Sequence, residues 1–277
     1  MLRLWSNFSS QKIWLAISVD GIAIVKQTRG LHKRVLSQRY IKASGADAAG
    51  WQTLINQLDE YLSGSDIKQN TQINIVLSSD FVRYLMLPAQ QITMSKAEKI
   101  SYAHAVFTDI YGAMVSDWHI KYHRAAPHQS TVAVAVDNAL LAALNQLAVK
   151  HQFKLNSVQP YLMTAFNALA RPIASTSGHL VLLENKKLLL VHLHKGACQQ
   201  MQVTPYSHDW QTVLNNMLNR EVLLNERLDA TDKTLLIYAP TEKNISLNAL
   251  NGWKTQRIGY DRNTKLAPQF YMLEAVL

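Results

Sequence analysis

Glycine is scarce in this chain. Only 10 of its 277 residues are glycine, about half the usual share, and no Gly-Gly or Gly-x-Gly occurs. Loops that cradle phosphates need glycine, because only a residue without a Cβ lets backbone N–H groups come close to the ligand. The scarcity therefore argues against a nucleotide site. Gly45 and Gly50 have the spacing of a P-loop, but Trp51 and Gln52 stand where lysine and serine or threonine are needed. Cysteine is scarcer still. Cys198 alone excludes a disulfide framework and any multi-cysteine metal site, and it fits a reducing compartment. Charged residues make up 17%, against about 25% in average chains. No window holds 18 consecutive apolar residues, so no membrane-spanning helix is expected. The opening stretch MLRLWSNFSSQK is too short and too broken by Arg3, Ser6 and Asn7 for a signal peptide. A cytoplasmic location is the expectation.

The chain has abundant apolar residues, 48% of the total, which guarantees a sizeable core. It is basic, with 28 Lys and Arg against 19 Asp and Glu. Residues 1–42 hold Arg3, Lys12, Lys26, Arg29, Lys33, Arg34, Arg39 and Lys42 against Asp20 alone. A region of this kind suits nucleic acid, an anionic membrane or acidic partner, or simply a solvated hairpin. Nucleic-acid modules interleave exposed aromatics with basic residues. Residues 29–39 contain no Phe, Trp or Tyr, so no nucleic-acid partner is expected. Leu2, Leu4, Trp5 and Phe8 belong to no strand or helical stripe and sit beside Arg3 and Lys12. They are candidates for contact with lipid or a partner.

Periodicity sets the order of elements. Ile13–Val19 and Ile22–Lys26 read as strands around Asp20-Gly21, a dipeptide suited to a type I′ hairpin turn, and Arg34–Ile41 alternates as a third strand. Trp51, Leu54, Ile55, Leu58 and Leu62 form one helical stripe closed by Gly64. Strands are expected at Ile73–Leu77 and Phe81–Leu87. Ser95 and Glu98 open a helix with a capping box. An alternating strand over 117–124 follows, then strand Thr131–Val136, which hands straight to a helix capped by Asp137. A short strand at Phe153–Val158 and a helix over 160–170 complete the first half. The second half repeats the order. It has a meander at 180–183, 187–194 and 198–203, a helix striped by Trp210, Leu214, Met217 and Leu218, strand Thr234–Tyr238, a short helix near Leu247–Leu250, and strand Lys254–Ile258. Repetition of a βββαβα unit predicts an α/β protein of two ribonuclease-H-like lobes around a cleft.

Three stretches resemble the actin-like assembly-platform proteins of type IV pili and type II secretion, the PilM, MshI and GspL cytoplasmic family. Residues 1–26 are similar to the family's apolar-basic leader, first strand, turn and second strand. Residues 132–170, VAVAVDNALLAALNQLAVKHQFKLNSVQPYLMTAFNALA, resemble its inter-lobe segment. Residues 234–258, TLLIYAPTEKNISLNALNGWKTQRI, resemble its closing strand–loop–helix–strand. The resemblance implies an actin-like fold with a first lobe over 1–160, a small subdomain inserted at about 81–124, and a second lobe over 161–277.

In ATP-binding members of that family three loops hold the nucleotide, two of them with Asp-x-Gly and one with Gly-Gly. Here the loops read Ser18-Val19-Asp20-Gly21-Ile22-Ala23, Glu184-Asn185-Lys186-Lys187 and Tyr238-Ala239-Pro240-Thr241. All three depart from the pattern, and Pro240 removes a backbone donor. The bare scaffold without ATPase loops is similar to the GspL branch. The resemblance therefore implies a catalytically inactive scaffold, peripheral to the inner membrane, with no cofactor. It would hold the cytoplasmic part of a bitopic, PilN-like membrane partner and contact the assembly ATPase. The inserted subdomain would supply the groove, with Arg83, Tyr84, Tyr111 and Trp118 as partner-binding candidates, because Arg and aromatic side chains dominate small interfaces. The competing reading is a divergent actin-like ATPase or sugar-kinase-type phosphotransferase.

Other chemistry is thin. His192 and His194 share a strand face, as do His119 and His123, but no third metal ligand is evident. Cys198 lies inside a strand with no His and Asn context, and it reads as a small buried hydrophobe. Asp209 or Ser207 reads as a helix cap rather than part of a triad.

Overall fold

The computed structural model describes residues 11–29, 34–44, 50–90, 94–122, 130–207, 209–224, 233–242, 245, 252–259 and 266–277. Leu2, Leu4, Trp5 and Phe8, His123, and the short helix expected near 247–250 lie outside these residues.

The chain opens with an antiparallel meander, β1 (Gln11–Ser18), β2 (Gly21–Thr28) and β3 (Val35–Lys42). Helix α1 (Trp51–Ser63) buries Leu54, Ile55, Leu58 and Leu62, the stripe the sequence predicts. Strand β4 (Gln72–Leu77) then pairs parallel to β1. Strand β5 (Val82–Leu87), helix α2 (Lys96–Tyr111), a 3-10 turn over Gly112–Asp117, β6 (Trp118–Tyr122) and β7 (Thr131–Asp137) follow. Helix α2 starts on its capping box: the Ser95 N–H donates to Glu98 and the Glu98 N–H donates to the Ser95 hydroxyl. Strand β7 passes directly into α3 (Asn138–Lys150), where the Ala139 N–H donates to the Asp137 carboxylate at 2.7 Å. Strand β8 (Lys154–Pro160) leads to α4 (Tyr161–Ala168) and the single-turn α5 (Ala170–Ile173).

The second half repeats the plan. It has β9 (Gly178–Glu184), β10 (Lys187–His194), β11 (Ala197–Pro205), α6 (Trp210–Leu224), β12 (Thr234–Tyr238) and β13 (Lys254–Arg257). The chain then runs through a 3-10 turn at Pro268–Phe270 into the single-turn α7 (Tyr271–Glu274).

The two five-stranded sheets have the same topology. Their orders are β3-β2-β1-β4-β8 and β11-β10-β9-β12-β13, and in each the last two strands run parallel to the meander's first strand. A third sheet, β5-β7-β6, is antiparallel. Thr131–Asp137 is its central strand, so the stretch 81–124 does not build this sheet alone.

Strands β9 and β10 read as near-continuous apolar runs because both their faces are covered. Leu180, Leu182, Leu189 and Val191 join the core that contains the first sheet, α4 and α7. Val181, Leu183, Leu188 and Leu190 pack against Trp210, Leu214, Met217 and Leu218 of α6. Phe107 and Ala103 of α2 close a separate core over the third sheet. Among the described residues no helix is long and apolar enough to cross a membrane.

Candidate functional site

The three loops singled out in the sequence meet at one cavity of about 430 Å³ between the two five-stranded sheets. Its lining includes Ser18, Asp20 and Gly21 from the first hairpin, Asn185 and Lys186 from the second, and Thr241 and Glu242 from the loop after β12. Ala16, Ala23 and Tyr40 of the first sheet form one wall, while Pro268, Gln269, Tyr271 and Met272 form another. The C-terminal segment thus lies in the cleft, with Tyr271 edge-on to Tyr161 at 5.4 Å and Phe270 edge-on to Tyr40 at 6.5 Å. This segment is a 3-10 turn and one helical turn, with no periodic pattern to mark it in the sequence.

The first hairpin differs from expectation, and the second is the tight turn without glycine that its sequence suggests. In the first, Ser18 pairs with Gly21, so the turn residues are Val19 and Asp20 rather than Asp20 and Gly21. Neither turn residue has positive φ, as a type I′ turn would require. Gly21 opens β2 with φ +151°, and a Cβ there would sit 2.2 Å from the Ile41 carbonyl oxygen. It serves close strand approach. In the second hairpin Asn185 and Lys186 have φ 20° and 57°. This is the positive-φ pair that a type I′ turn demands, built without glycine. Left-handed backbone strains a lysine by roughly 1–2 kcal/mol, partly offset by the extra chain entropy glycine would lose. Lys186→Gly should therefore stabilise the protein by up to about 1 kcal/mol, read as a later midpoint in urea.

Beside the cavity a polar clasp joins the halves directly. Strand β4 ends in Ser78-Ser79-Asp80. The Ser79 N–H donates to Glu184 Oε1 at 2.8 Å, and its hydroxyl donates to Oε2 at 2.5 Å. Lys187 Nζ donates to the Ser79 carbonyl at 2.8 Å and pairs with Asp80 at 2.6 Å. Asp80 is braced in turn by the Ser78 hydroxyl. Glu184 is 1% exposed and Ser79 3%. Burial pushes the Glu184 carboxyl pKa up, against the lowering effect of the Ser79 hydrogen bonds.

The partner candidates do not form one cluster. Along β5 side chains alternate, so Arg83 is exposed while Tyr84 is 8% exposed. Arg83 donates to the Asp80 and Val82 carbonyls. Tyr84 turns towards Ser79, which leaves it unavailable as a surface anchor. Burial and the Glu184 charge push its phenol pKa up. Tyr111 and Trp118 do meet, with ring centroids 5.1 Å apart, over Phe107. Ile110 and Met114 beside them are 58% and 57% exposed.

The remaining candidates behave as structural residues. His192 stacks on the buried His179 at 5.0 Å, and among the described residues no group of His, Cys, Asp and Glu could hold a metal ion. Asp209 caps α6 through the Gln211 N–H at 2.9 Å. Burial pushes the Cys198 thiol up to about 11, so at pH 8 only about one thiol in a thousand is ionised. Alkylation by iodoacetamide at pH 8 should run far slower than for a free thiol, and unfolding in guanidinium should restore the rate.

No family model and no curated protein matches this sequence. Solved structures do. A Bacteroides thetaiotaomicron protein with an actin-like ATPase fold and unknown function is similar over 90% of this chain and 88% of its own, with 10% identity and a TM-score of 0.58.

This is an actin-like fold.

Two further solved structures come from the type II secretion and type IV pilus systems. The cytoplasmic domain of EpsL, an inner-membrane component of the Vibrio cholerae type II secretion system, matches 96% of this chain and 94% of its own, at 12% identity and TM-score 0.56. The PilM–PilN type IV pilus biogenesis complex gives 96% and 89% coverage, 12% identity and a TM-score of 0.59.

Proposed function

We propose that this chain is a catalytically inactive actin-like scaffold of a type IV pilus or type II secretion platform. It would lie at the cytoplasmic face of the inner membrane and hold the cytoplasmic part of a PilN-like membrane partner. The observation that supports this best is the clasp of Ser79 and Asp80 on Glu184 and Lys187. Direct protein contacts tie the end of β4 to the second hairpin, one of the loops that in ATP-binding relatives grip the nucleotide. The matches to EpsL and to PilM–PilN along almost the full length of each chain support the same reading.

The partner would dock on the inserted unit around α2 and the third sheet. Tyr111 and Trp118 offer a half-buried aromatic pair there, with Ile110 and Met114 exposed beside it, and Arg83 lies on β5 of the same sheet. The basic, apolar leader with Leu2, Leu4, Trp5 and Phe8 would add contact with the membrane or the partner. The assembly ATPase is a second partner on this reading.

Pull-down of the encoded membrane partner's cytoplasmic segment tests the site. Arg83→Ala and Met114→Asp should each weaken capture by roughly 1–3 kcal/mol with the melting temperature little changed, whereas Tyr84→Ala should lower stability instead. Calorimetry with ATP and magnesium tests the inactive cleft. A micromolar, magnesium-dependent affinity would return the chain to the ATPase class.

A further inference from the structure

The clasp and the cavity sit at the C-terminal ends of β1 and β4, while cations gather at the opposite end of the same sheet. Lys12 stands at the start of β1, Lys154 opens β8, and Lys68 lies in the turn that feeds β4. Arg29 follows β2 and Arg34 precedes β3. The Thr28 N–H donates to the Arg34 carbonyl and the Arg34 N–H to the Thr28 hydroxyl, which closes this end of the β2–β3 connection. The strand ladders bring these points into one row, since Thr28 pairs with Gln11, Lys12 with Gln72, and Gln72 with Lys154. The row crosses the whole sheet from β3 to β8, roughly 20 Å at the usual strand spacing.

Arg29, Arg34, Lys68 and Lys154 are exposed, and among the described residues none of them pairs with a carboxylate. Residues 21–46 contain no Asp or Glu, and Lys33 adds a further cation to the β2–β3 connection. The carboxylates on the neighbouring elements are Asp66, in the turn before β4, and Asp59 and Glu60, near the end of α1. Asp59 is already held by Lys150 at 2.6 Å and His151 at 2.7 Å. A second, independent sign is apolar. Leu36 is the extra residue of a bulge in β3, between the pairs Lys26–Ser37 and Gln27–Val35, and it is 50% exposed. The leader that carries Leu2, Leu4, Trp5 and Phe8 joins the fold at Gln11, on the same row.

We propose that this end of the first sheet is a membrane-binding face, its cations on acidic lipid headgroups and Leu36 at the headgroup boundary. The proposal rests on the reading of a protein peripheral to the inner membrane and adds to it a contact made by the folded body. A bilayer with acidic headgroups offers negative charge over a wide, flat area. Cations spread from β3 to β8 match that area, whereas an acidic peptide would need them along one groove or strand edge. Each Lys or Arg near such a surface strengthens binding by about fivefold. The exposed leucine gains from the apolar boundary of a bilayer, and a phosphodiester backbone offers it nothing. Strand β1 is 8 residues long, so roughly 25 Å separates this face from the cavity, and the cleft stays clear of the membrane.

Co-sedimentation of the full chain with phosphatidylcholine vesicles, with and without phosphatidylglycerol, tests this at low and high salt. Phosphatidylglycerol should increase binding, and salt should reverse the increase. The charge reversal Arg29→Glu/Arg34→Glu/Lys154→Glu should weaken that binding by about tenfold or more with the melting temperature unchanged. The neutral set Arg29→Gln/Arg34→Gln/Lys154→Gln should weaken it less. Lys195→Glu/Lys233→Glu/Lys254→Glu, which makes the same change of net charge on the second sheet, should bind nearly as the wild type does. The proposal falls if phosphatidylglycerol has no effect, or if the two reversals weaken binding equally. It also falls if Trp5→Ser/Phe8→Ser in the leader alone abolishes binding, or if RNA or duplex DNA binds this face while vesicles do not. Capture of the membrane partner by the inserted unit is read separately in the pull-down, so failure of either leaves the other standing.

Discussion

Replacing Glu184 with alanine should lower stability by about 3 kcal/mol, whereas glutamine should keep the fold and change its response to pH. The carboxylate accepts both the N–H and the hydroxyl of Ser79 in a site nearly closed to water. Alanine leaves that buried N–H without its acceptor, at roughly 1–3 kcal/mol, and opens a gap between the two sheets as well. For a chain of this size about 3 kcal/mol corresponds to roughly 6–12 °C in Tm. Glutamine keeps an oxygen for the N–H and offers its NH₂ to the hydroxyl oxygen. The pH response follows from burial, which raises the native pKa of Glu184 above its ordinary value of 4.5. The native state therefore keeps this proton after the unfolded chain has lost it. Below the ordinary value both states are protonated and the shift has no effect. As pH rises above it, stability falls until the native carboxyl also ionises, by at most about 1.4 kcal/mol per pH unit for one proton. Urea melts from pH 4 to pH 8 should show the wild type losing stability relative to Glu184→Gln over this window. Parallel curves throughout would mean that the folded protein holds this carboxyl charged, and burial would not govern its protonation.

The elements that were legible in the sequence are those with a period or a cap. The stripe of α1, the Ser95–Glu98 capping box and the passage from β7 into α3 through Asp137 all stand where local pattern puts them. The repeated βββαβα order was legible for the same reason. What escaped was contact between segments far apart in the chain. Ser79 and Glu184 are 105 residues apart, and no periodicity links the end of one strand to the end of another. The sheet to which Thr131–Asp137 belongs also escaped, because a run of small and β-branched residues marks a strand without naming its neighbours. The return of Pro268–Glu274 into the cleft is a 3-10 turn and one helical turn, too short to show a period. The first hairpin differs from expectation because dipeptide rules assign glycine to the turn. Gly21 is instead required one residue later, where two strands crowd. At Lys186 the surrounding sheet imposes positive φ on a residue that does not favour it, whereas Asn185 tolerates it.

That crowding gives the other large effect. Gly21→Ala should cost well over about 3 kcal/mol and could prevent folding altogether. A Cβ at this position would lie 2.2 Å from the Ile41 carbonyl oxygen and 2.8 Å from the Tyr40 hydroxyl oxygen, with φ at +151°. The first obstacle is backbone, so a rotamer change cannot relieve it. Strands β2 and β3 would have to separate where Gly21 pairs with Lys42. Gly252 isolates the conformational part of the effect. Its φ is +83°, yet an added Cβ there meets nothing within 4 Å among the described residues, so Gly252→Ala should cost only the strain of left-handed backbone, roughly 1–2 kcal/mol. Gly178 at the start of β9 repeats the Gly21 problem in the second sheet, with the Thr234 carbonyl oxygen 2.5 Å from the added carbon. The expected order of loss is therefore Gly21 and Gly178 together, well ahead of Gly252, in thermal melts followed by circular dichroism. A Gly21→Ala protein that melts no lower than Gly252→Ala would show that β2 and β3 do not approach this closely. It would also undo the placement of Tyr40 and Asp20 on the cavity wall, because both residues are held there by the same strand contact.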